Sequence, residues 1–410
     1  MGKQCGLKYY KCKNTEVTDM KRRRMITICF LLALVTASCG RTTEEKAAGV
    51  QKEDSRTLFE ESVEIAEKYR DIYETAEKKE SVGTLETTKQ IVKRLGKEGY
   101  AVFDYANQIN MENPDKVRAF AVRVEEKKTA GVTILAVNDR GGFTRYDMKT
   151  SKGSVDVEKS SLYWDGNTPV SEYREEYTTG TWIYNEKGYL FFERNRLTGT
   201  GGGRIAVRLE PLDDTCRELN RNYLIPVGYA QNNMFTEDWS ETEYKELNFY
   251  DLYERLYRLK TGEAAPYEFA FTGRTYEVPA AQFEDIFQTY FRIDSRTLRQ
   301  KTNFNEADGT YRYRPRGLYD KGTTPDVPFP EVTAYEEKAD GTVKLTVNAV
   351  WPKKSMEKAF SHEVVVRPLE DGTYEYVSNH VIPSDENAAP EWYMDRLTDE
   401  QWQEYYESTQ

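Results

Sequence analysis

The chain has only two histidines, His362 and His380. They fall on neighbouring β-branched and aromatic runs, Ala359–Arg367 and Tyr374–Ile382, separated by Asp371-Gly372. A three-residue loop at 370–372 would set His362 opposite His380, Val365 opposite Val377 and Arg367 opposite Glu375; the last two are pairings that antiparallel strands favour. Adjacent imidazoles are a start on a transition-metal site, but no third ligand comes with them. A two-residue loop would part them. Two histidines satisfied by hydrogen bonds are the plainer expectation, and no cofactor is implied. Cys216 stands among Asp213, Asp214 and Glu218, whose charge raises a thiol pKa and quiets it. Gly199 to Gly203, followed by Arg204, looks like a phosphate cradle. A strand pattern follows it where a helix N-terminus would be needed, so it reads as a hairpin tip.

Aromatic side chains are a second lead. Tyr163, Trp164, Trp182, Tyr184, Tyr311 and Tyr313 could present planar rings to a sugar or peptide, and core packing of strands explains them equally well. Ser355-Met356-Glu357-Lys358 and Lys260-Thr261-Gly262 match two motifs of penicillin-recognising enzymes. Here the serine motif comes last, the Ser-Asp-Asn element is missing, and the lysine triplet closes a helix pattern. Carboxylates are plentiful, but no glycosidase pair is singled out by spacing. A binding or scaffold protein without catalysis is therefore expected, the alternative being a cell-wall or glycan hydrolase using an Asp/Glu pair.

Lys21-Arg22-Arg23-Arg24 is followed by an apolar run from Met25 to Val35, then Thr36-Ala37-Ser38-Cys39. Charged, apolar and small-residue regions in that order resemble a secretory signal, and cysteine at the cleavage point resembles a bacterial lipobox. The run is eleven residues, short of the ~20 that span a bilayer core. The resemblance implies cleavage before Cys39, lipid on its sulfur, and placement on the outer face of the cell membrane. Thr36 departs from the Leu, Val or Ile usual at that position. Residues 1–19 precede the charged region, which puts the expected start at Met20 or Met25.

The whole chain has a net charge of −11. Without residues 1–38 it keeps 50 Lys/Arg against 67 Asp/Glu, a net −17. That sign repels phosphate backbones and excludes nucleic acid as a partner on electrostatic grounds. It equally leaves acyl chains on Cys39 as the contact with the membrane. A cell-surface protein or glycan is the partner class that remains.

These residues need elements to carry them. Residues 39–52 read as a lipidated tether, 53–265 as a domain of helices and antiparallel strands, 266–385 as an α+β domain, and 386–410 as a helical tail. Apolar residues at helical spacing run from Ser55 to Ser81 and from Leu85 to Leu95. Strand patterns then cover 117–125, 132–137, 143–148, 154–164, 181–184 and 189–194, divided by Gly- and Asn-rich turns. A helix is expected from Phe249 to Leu259. In the second domain Phe283, Ile286, Phe287, Tyr290 and Phe291 give a helix one aromatic face. Four strands follow, Val332–Glu337, Thr342–Val350, Ala359–Arg367 and Tyr374–Ile382, with hairpin signals at Asp340-Gly341 and Asp371-Gly372. The expected class is α+β, ending in a helix on a four-stranded antiparallel sheet of cystatin- or NTF2-like appearance.

Residues 275–385 resemble an uncharacterised family of Gram-positive bacterial lipoproteins. The matching residues are Tyr290-Phe291, Leu298-Arg299, Pro330-Glu331-Val332-Thr333, Asp340-Gly341-Thr342, Phe360-Ser361-His362-Glu363 and Tyr376-Val377-Ser378-Asn379. The resemblance implies no activity.

Overall fold

The computed structural model describes residues 58–194, 204–267, 273–317, 319–320 and 326–407. Cys39, its tether and the Gly199–Gly203 turn lie outside the described residues.

Helices α1 (58–67), α2 (Arg70–Lys78) and α3 (Leu85–Lys97) form where apolar spacing is helical. Thr84 caps α3 by accepting from the Thr87 amide at 3.3 Å. Strand β1 (Ala101–Asp104) is joined to β2 (Ala130–Val137) through α4 (Pro114–Glu125), and the two strands pair in parallel. The expected strand at 117–125 is therefore a helix. Its β-branched content mimics a strand, but Val117, Phe120, Ala121 and Val124 sit at i, i+3, i+4 and i+7 and are all buried, and Pro114 suits the first helical turn. The remainder is a meander, each strand antiparallel to the last: β3 (Phe143–Ser151), β4 (Ser154–Asp165), β5 (Thr168–Tyr184), β6 (Tyr189–Arg194) and β7 (Ile205–Arg208).

This seven-stranded sheet curls around α4. Phe120 meets Trp182 of β5 edge to face at 5.5 Å, and Arg118 donates to the Leu209 carbonyl at 3.1 Å just beyond β7. Val117, Phe120 and Val124 thus share one core with residues from both ends of the sheet, including Ala101, Leu190 and Val207. Helices α1 to α3 cover the opposite face through Tyr69, Ile91 and Leu95 against Leu135, Phe143 and Trp164. Long β5 pairs with β4 in its first part and with β6 in its last, and a register shift between Thr179 and Thr181 lies at the exchange. Such irregularities bend and twist a strand, which lets the sheet close up.

The second half has α5 (Asp214–Leu219) running into a π turn at Asn220–Leu224, then β8 (Trp239–Ser240) and α6 (Phe249–Thr261). After these come β9 (Tyr276–Pro279), α7 (Ala280–Tyr290), α8 (Ser295–Gln300), β10 (Phe304–Asn305) and β11 (Thr310–Tyr313). β12 (Phe329–Glu337), β13 (Val343–Val350), β14 (Ser361–Pro368), β15 (Tyr374–Val381) and α9 (Asp399–Trp402) complete it. α7 presents Phe283, Ile286, Phe287 and Tyr290 inward at the expected spacing.

The expected cystatin- or NTF2-like sheet of four strands is not what forms. β8, from more than a hundred residues upstream, adds a fifth strand beside β15, and β10, β11 and β9 make a separate three-stranded sheet. With the parallel β1–β2 pair, the class is mixed α/β. Short β8 carries no periodicity of its own, and no local pattern announces a strand that pairs with one so distant in sequence. One buried cluster runs from Cys216 to Trp392 and spans the boundary expected at 265/266.

The halves meet along β6. Tyr189 and Phe191 pack against Val350 of β13. Beside them Glu331 of β12 accepts from the Tyr189 hydroxyl at 2.7 Å and from Arg208 at 2.5 Å.

Candidate functional site

The β14–β15 hairpin sets the positions of both histidines. Near its turn the register is the expected one, with Arg367 opposite Glu375 and joined to it at 2.8 Å. A bulge then intervenes. Val366 pairs with Tyr376 but Val365 with Ser378, so Val377 is left over and every later pair shifts by one. His362 consequently faces Val381, and His380 faces Glu363. One extra residue sends the two rings to opposite faces of the sheet, and the side-by-side arrangement is not made. Among the described residues no group of three or more His, Cys, Asp or Glu is placed to hold a metal.

His362 is completely buried. Its Nδ1 lies 2.7 Å from Asn379 Oδ1 and its Nε2 2.9 Å from the Tyr229 hydroxyl. Asn379 donates through Nδ2 to the Glu237 carbonyl at 2.8 Å. This directs Oδ1 at the ring, so Nδ1 carries the hydrogen and Nε2 accepts from Tyr229. Burial pushes the imidazole pKa down to about 4, keeping the ring neutral. His380 is exposed, with Nδ1 3.3 Å from Asp238.

A cleft of about 550 Å³ lies between the turn after β8 (241–246) and the segment that joins α7 to α8 and runs on to Lys301; two of its lining residues, Glu241 and Arg292, are tied to the hairpin. Glu375 accepts from Arg292 and from Arg367, each at 2.8 Å. Arg367 also makes a two-pronged contact to Glu241, at 2.9 and 3.0 Å. Such planar, charge-assisted pairs fix geometry well. The turn supplies Glu241, Glu243 and Glu246 together with Lys245, and the opposite wall supplies Arg292, Asp294 and Lys301. Asp294 caps α8, and its bond from the Thr297 amide holds its carboxyl below the usual range.

The Tyr244 hydroxyl has no hydrogen-bond partner among the described residues. The residue lines the cleft and is 4 % exposed. Its ring is held by Trp239, stacked at 6.1 Å, and edge-on by Phe249 and Phe291 at 5.7 and 6.1 Å. Burial first, then the charges of Glu241, Glu375 and Asp294, raises the phenol pKa, so the group remains a neutral donor. Nothing in the 240–246 sequence marks it as a site; only the Arg367–Glu375 pair beneath it was legible from hairpin register.

The aromatic surface expected from sequence is mostly interior. Tyr311 and Tyr313 are 0 % and 1 % exposed and stack within the second core. Trp164 is buried on Tyr73 at 4.6 Å and donates to the Gly141 carbonyl. Trp182 and Tyr184 pack half-buried against the curled sheet's core. Tyr163 is partly exposed, with Arg140 over its ring at 5.7 Å. These rings do not assemble into one surface, because alternate strand positions carry them to different cores. Cys216 is buried and free, its pKa raised by burial and by Asp213. Ser355, from the penicillin-enzyme-like motif, sits between β13 and β14 and accepts from Arg204 at 2.9 Å.

A family model, described as a family of unknown function, matches residues 55–396. The chain belongs to DUF6070. The match takes in the curled sheet, the junction at Glu331 and the cleft, so the DUF6070 unit comprises both halves of the body. No curated protein and no solved structure matches the chain. No helix among the described residues is long and apolar enough to cross a membrane.

Proposed function

We propose that this DUF6070 member is a lipid-anchored extracytoplasmic binding protein. Acyl chains on Cys39 hold it to the outer face of the bacterial membrane, and the acidic body presents the Tyr244 cleft to a cell-surface protein or glycan without catalysing a reaction. The observation that carries the binding reading is the state of the cleft's carboxylates. Glu241 in the cleft and Glu375 behind it are locked to arginines and Asp294 is held as an anion, so none of these three is poised as a general acid. Asp104 and Glu331, which burial raises, are closed into the protein on backbone amides and on Tyr189 and Arg208.

Metabolic labelling with an alkynyl fatty acid tests the anchor. Label and membrane fractionation are expected for the native chain and lost in Cys39→Ala. Label that persists in Cys39→Ala sinks the anchor. For the cleft, the purified chain should release no reducing ends from isolated cell-wall glycan; release abolished by Glu241→Gln would establish a hydrolase instead.

A further inference from the structure

We infer that α3 is the face by which the anchored body lies against the membrane, with Lys89, Lys93 and Lys97 meeting the anionic headgroups of the bilayer that holds Cys39. This inference rests on the anchor proposed above and adds an orientation to it.

The row follows from helix geometry. Positions 89, 93 and 97 are four apart and share one side of α3, while Ile91, Val92 and Leu95 enter the core. All three lysines are exposed, and none makes an ion pair among the described residues. The acids closest to them are engaged. Asp71, across the groove on α2, is clamped by Arg94 at 3.0 and 3.1 Å. Glu98 is paired with Lys68 at 3.0 Å. Glu67 and Glu74 are bridged by Arg70, which reaches the Asn167 carbonyl and lies over Trp164, on the side of α2 away from α3. Glu64, Glu80 and Glu86 keep their charge along this side of the layer, against Lys78, Lys79 and the three lysines of the row. That is a local excess of two positive charges on a mature chain of net −17.

The place where the tether ends is the second argument. Eighteen residues separate Cys39 from Leu58, where α1 begins, at most about 60 Å of chain. The layer of α1 to α3 is therefore the first folded part of the body behind the anchor. A free acidic body would leave an anionic surface, but a tethered one can only turn. The surface potential then draws the basic row inward and pushes the acidic remainder outward, by about fivefold in local partition for each lysine. The effect fades beyond a Debye length, so it depends on salt.

The test reconstitutes the native lipidated chain into vesicles of phosphatidylcholine alone and of equal parts phosphatidylcholine and phosphatidylglycerol. Acetylation of each lysine is followed by mass spectrometry, with exposed Lys338 of the second half as reference. Lys93 and Lys97 are expected to react about fivefold more slowly in the mixed vesicles, and high salt should remove the difference. With Lys89, Lys93 and Lys97 all changed to Gln, Lys78 and Lys79 should react alike in both vesicles while the chain stays membrane-bound; the triple change to Arg should keep their protection. Equal reaction of the native row in both vesicles overturns the docking and leaves the anchor standing. A chain that stays with neither vesicle sinks the anchor and this inference with it. Protection by soluble polyphosphate in neutral vesicles, with none from phosphatidylglycerol, would assign the row to a free phosphate polymer and overturn the bilayer as its partner.

Discussion

The two halves of the body close themselves in different ways. In the first half each strand from β2 to β7 pairs with the next in sequence, and the sheet so formed wraps α4 from both of its ends. Its ion pairs lie mostly at the surface, as in Arg94 with Asp71 or Lys68 with Glu98. The second half is joined by segments far apart in sequence, and buried polar groups sit where they meet. Asp251 of α6, with a fully buried side chain, accepts two bonds from Arg316, one from Arg396 and one from Tyr393. Those last two come from the tail, which also inserts Trp392 against Trp351 and Phe360. Strands consecutive in sequence find each other through short turns. Distant segments must be chosen from many apolar alternatives, and a buried charge that only one partner satisfies makes that choice selective; we take this as the role of Asp251.

The contrast breaks most directly at Asp251. Asp251→Ala leaves Arg316 and Arg396, 7 % and 15 % exposed, without their shared counter-ion. We expect a loss of about 3–5 kcal/mol in chemical denaturation, with faster proteolysis of the tail than of the curled sheet. A loss near that of a surface pair would remove the distinction between the halves.

The next effect belongs to His362, which ties Tyr229 to β15. Its pKa is about 4 in the fold against an ordinary 6.5. Below 6.5 the unfolded chain takes up a proton that the folded chain refuses, so stability present above pH 6.5 is lost as pH falls toward 4. The whole window is worth about 3 kcal/mol. Urea midpoints measured from pH 7.5 downward should fall more steeply for the native chain than for His362→Gln. Parallel profiles would mean the ring is not the buried neutral base described here.

Sequence made much of this visible where neighbours in the chain are neighbours in space. The aromatic face of α7, the turn of the β14–β15 hairpin and the Arg367–Glu375 pair all follow from local spacing. α4 was misread because Val117, Val122 and Val124 favour strands in isolation, and its wrapping by the sheet is what selects the helix. The histidines separate because of Val377, and a bulge carries no residue signature in this hairpin. Tyr311 and Tyr313 read equally well as surface or core until β9 and β10 are known to flank β11. The cleft itself was hidden, since it is made by a turn and a helix junction brought together only by the long-range pairing of β8 with β15.

At the junction of the halves, Glu331 sharpens the comparison in the other direction. It too is a buried carboxylate, 3 % exposed, but it meets one arginine and one tyrosine. Burial raises its pKa in spite of Arg208. A raised value means the fold prefers the protonated form. Its contribution is therefore present below the ordinary carboxylate range and is lost as pH rises through the folded value. Glu331→Gln imitates the protonated form and can keep the Tyr189 contact, so we expect a change within about 1 kcal/mol at pH 7. The native chain should gain on the variant as pH falls. A loss at pH 7 as large as that at Asp251 would make the junction a second staple of the same kind.

The smallest effect is expected at Arg94, whose pair with Asp71 crosses the groove between α2 and α3. The Arg94 hydrogen bond holds the Asp71 carboxyl below its usual range, yet the side chains are 37 % and 67 % exposed and water screens them. Arg94 also donates to the Lys68 carbonyl at 2.8 Å, so Arg94→Ala removes a helix-to-helix contact as well as a charge. Even so, the loss should stay at about 0.5 kcal/mol and shrink in high salt. The first half already has its closure from consecutive strands around α4, and a surface pair adds little to a fold that its chain order has chosen. A salt-insensitive loss of several kcal/mol at Arg94 would show that the first half, too, depends on particular charged contacts between segments.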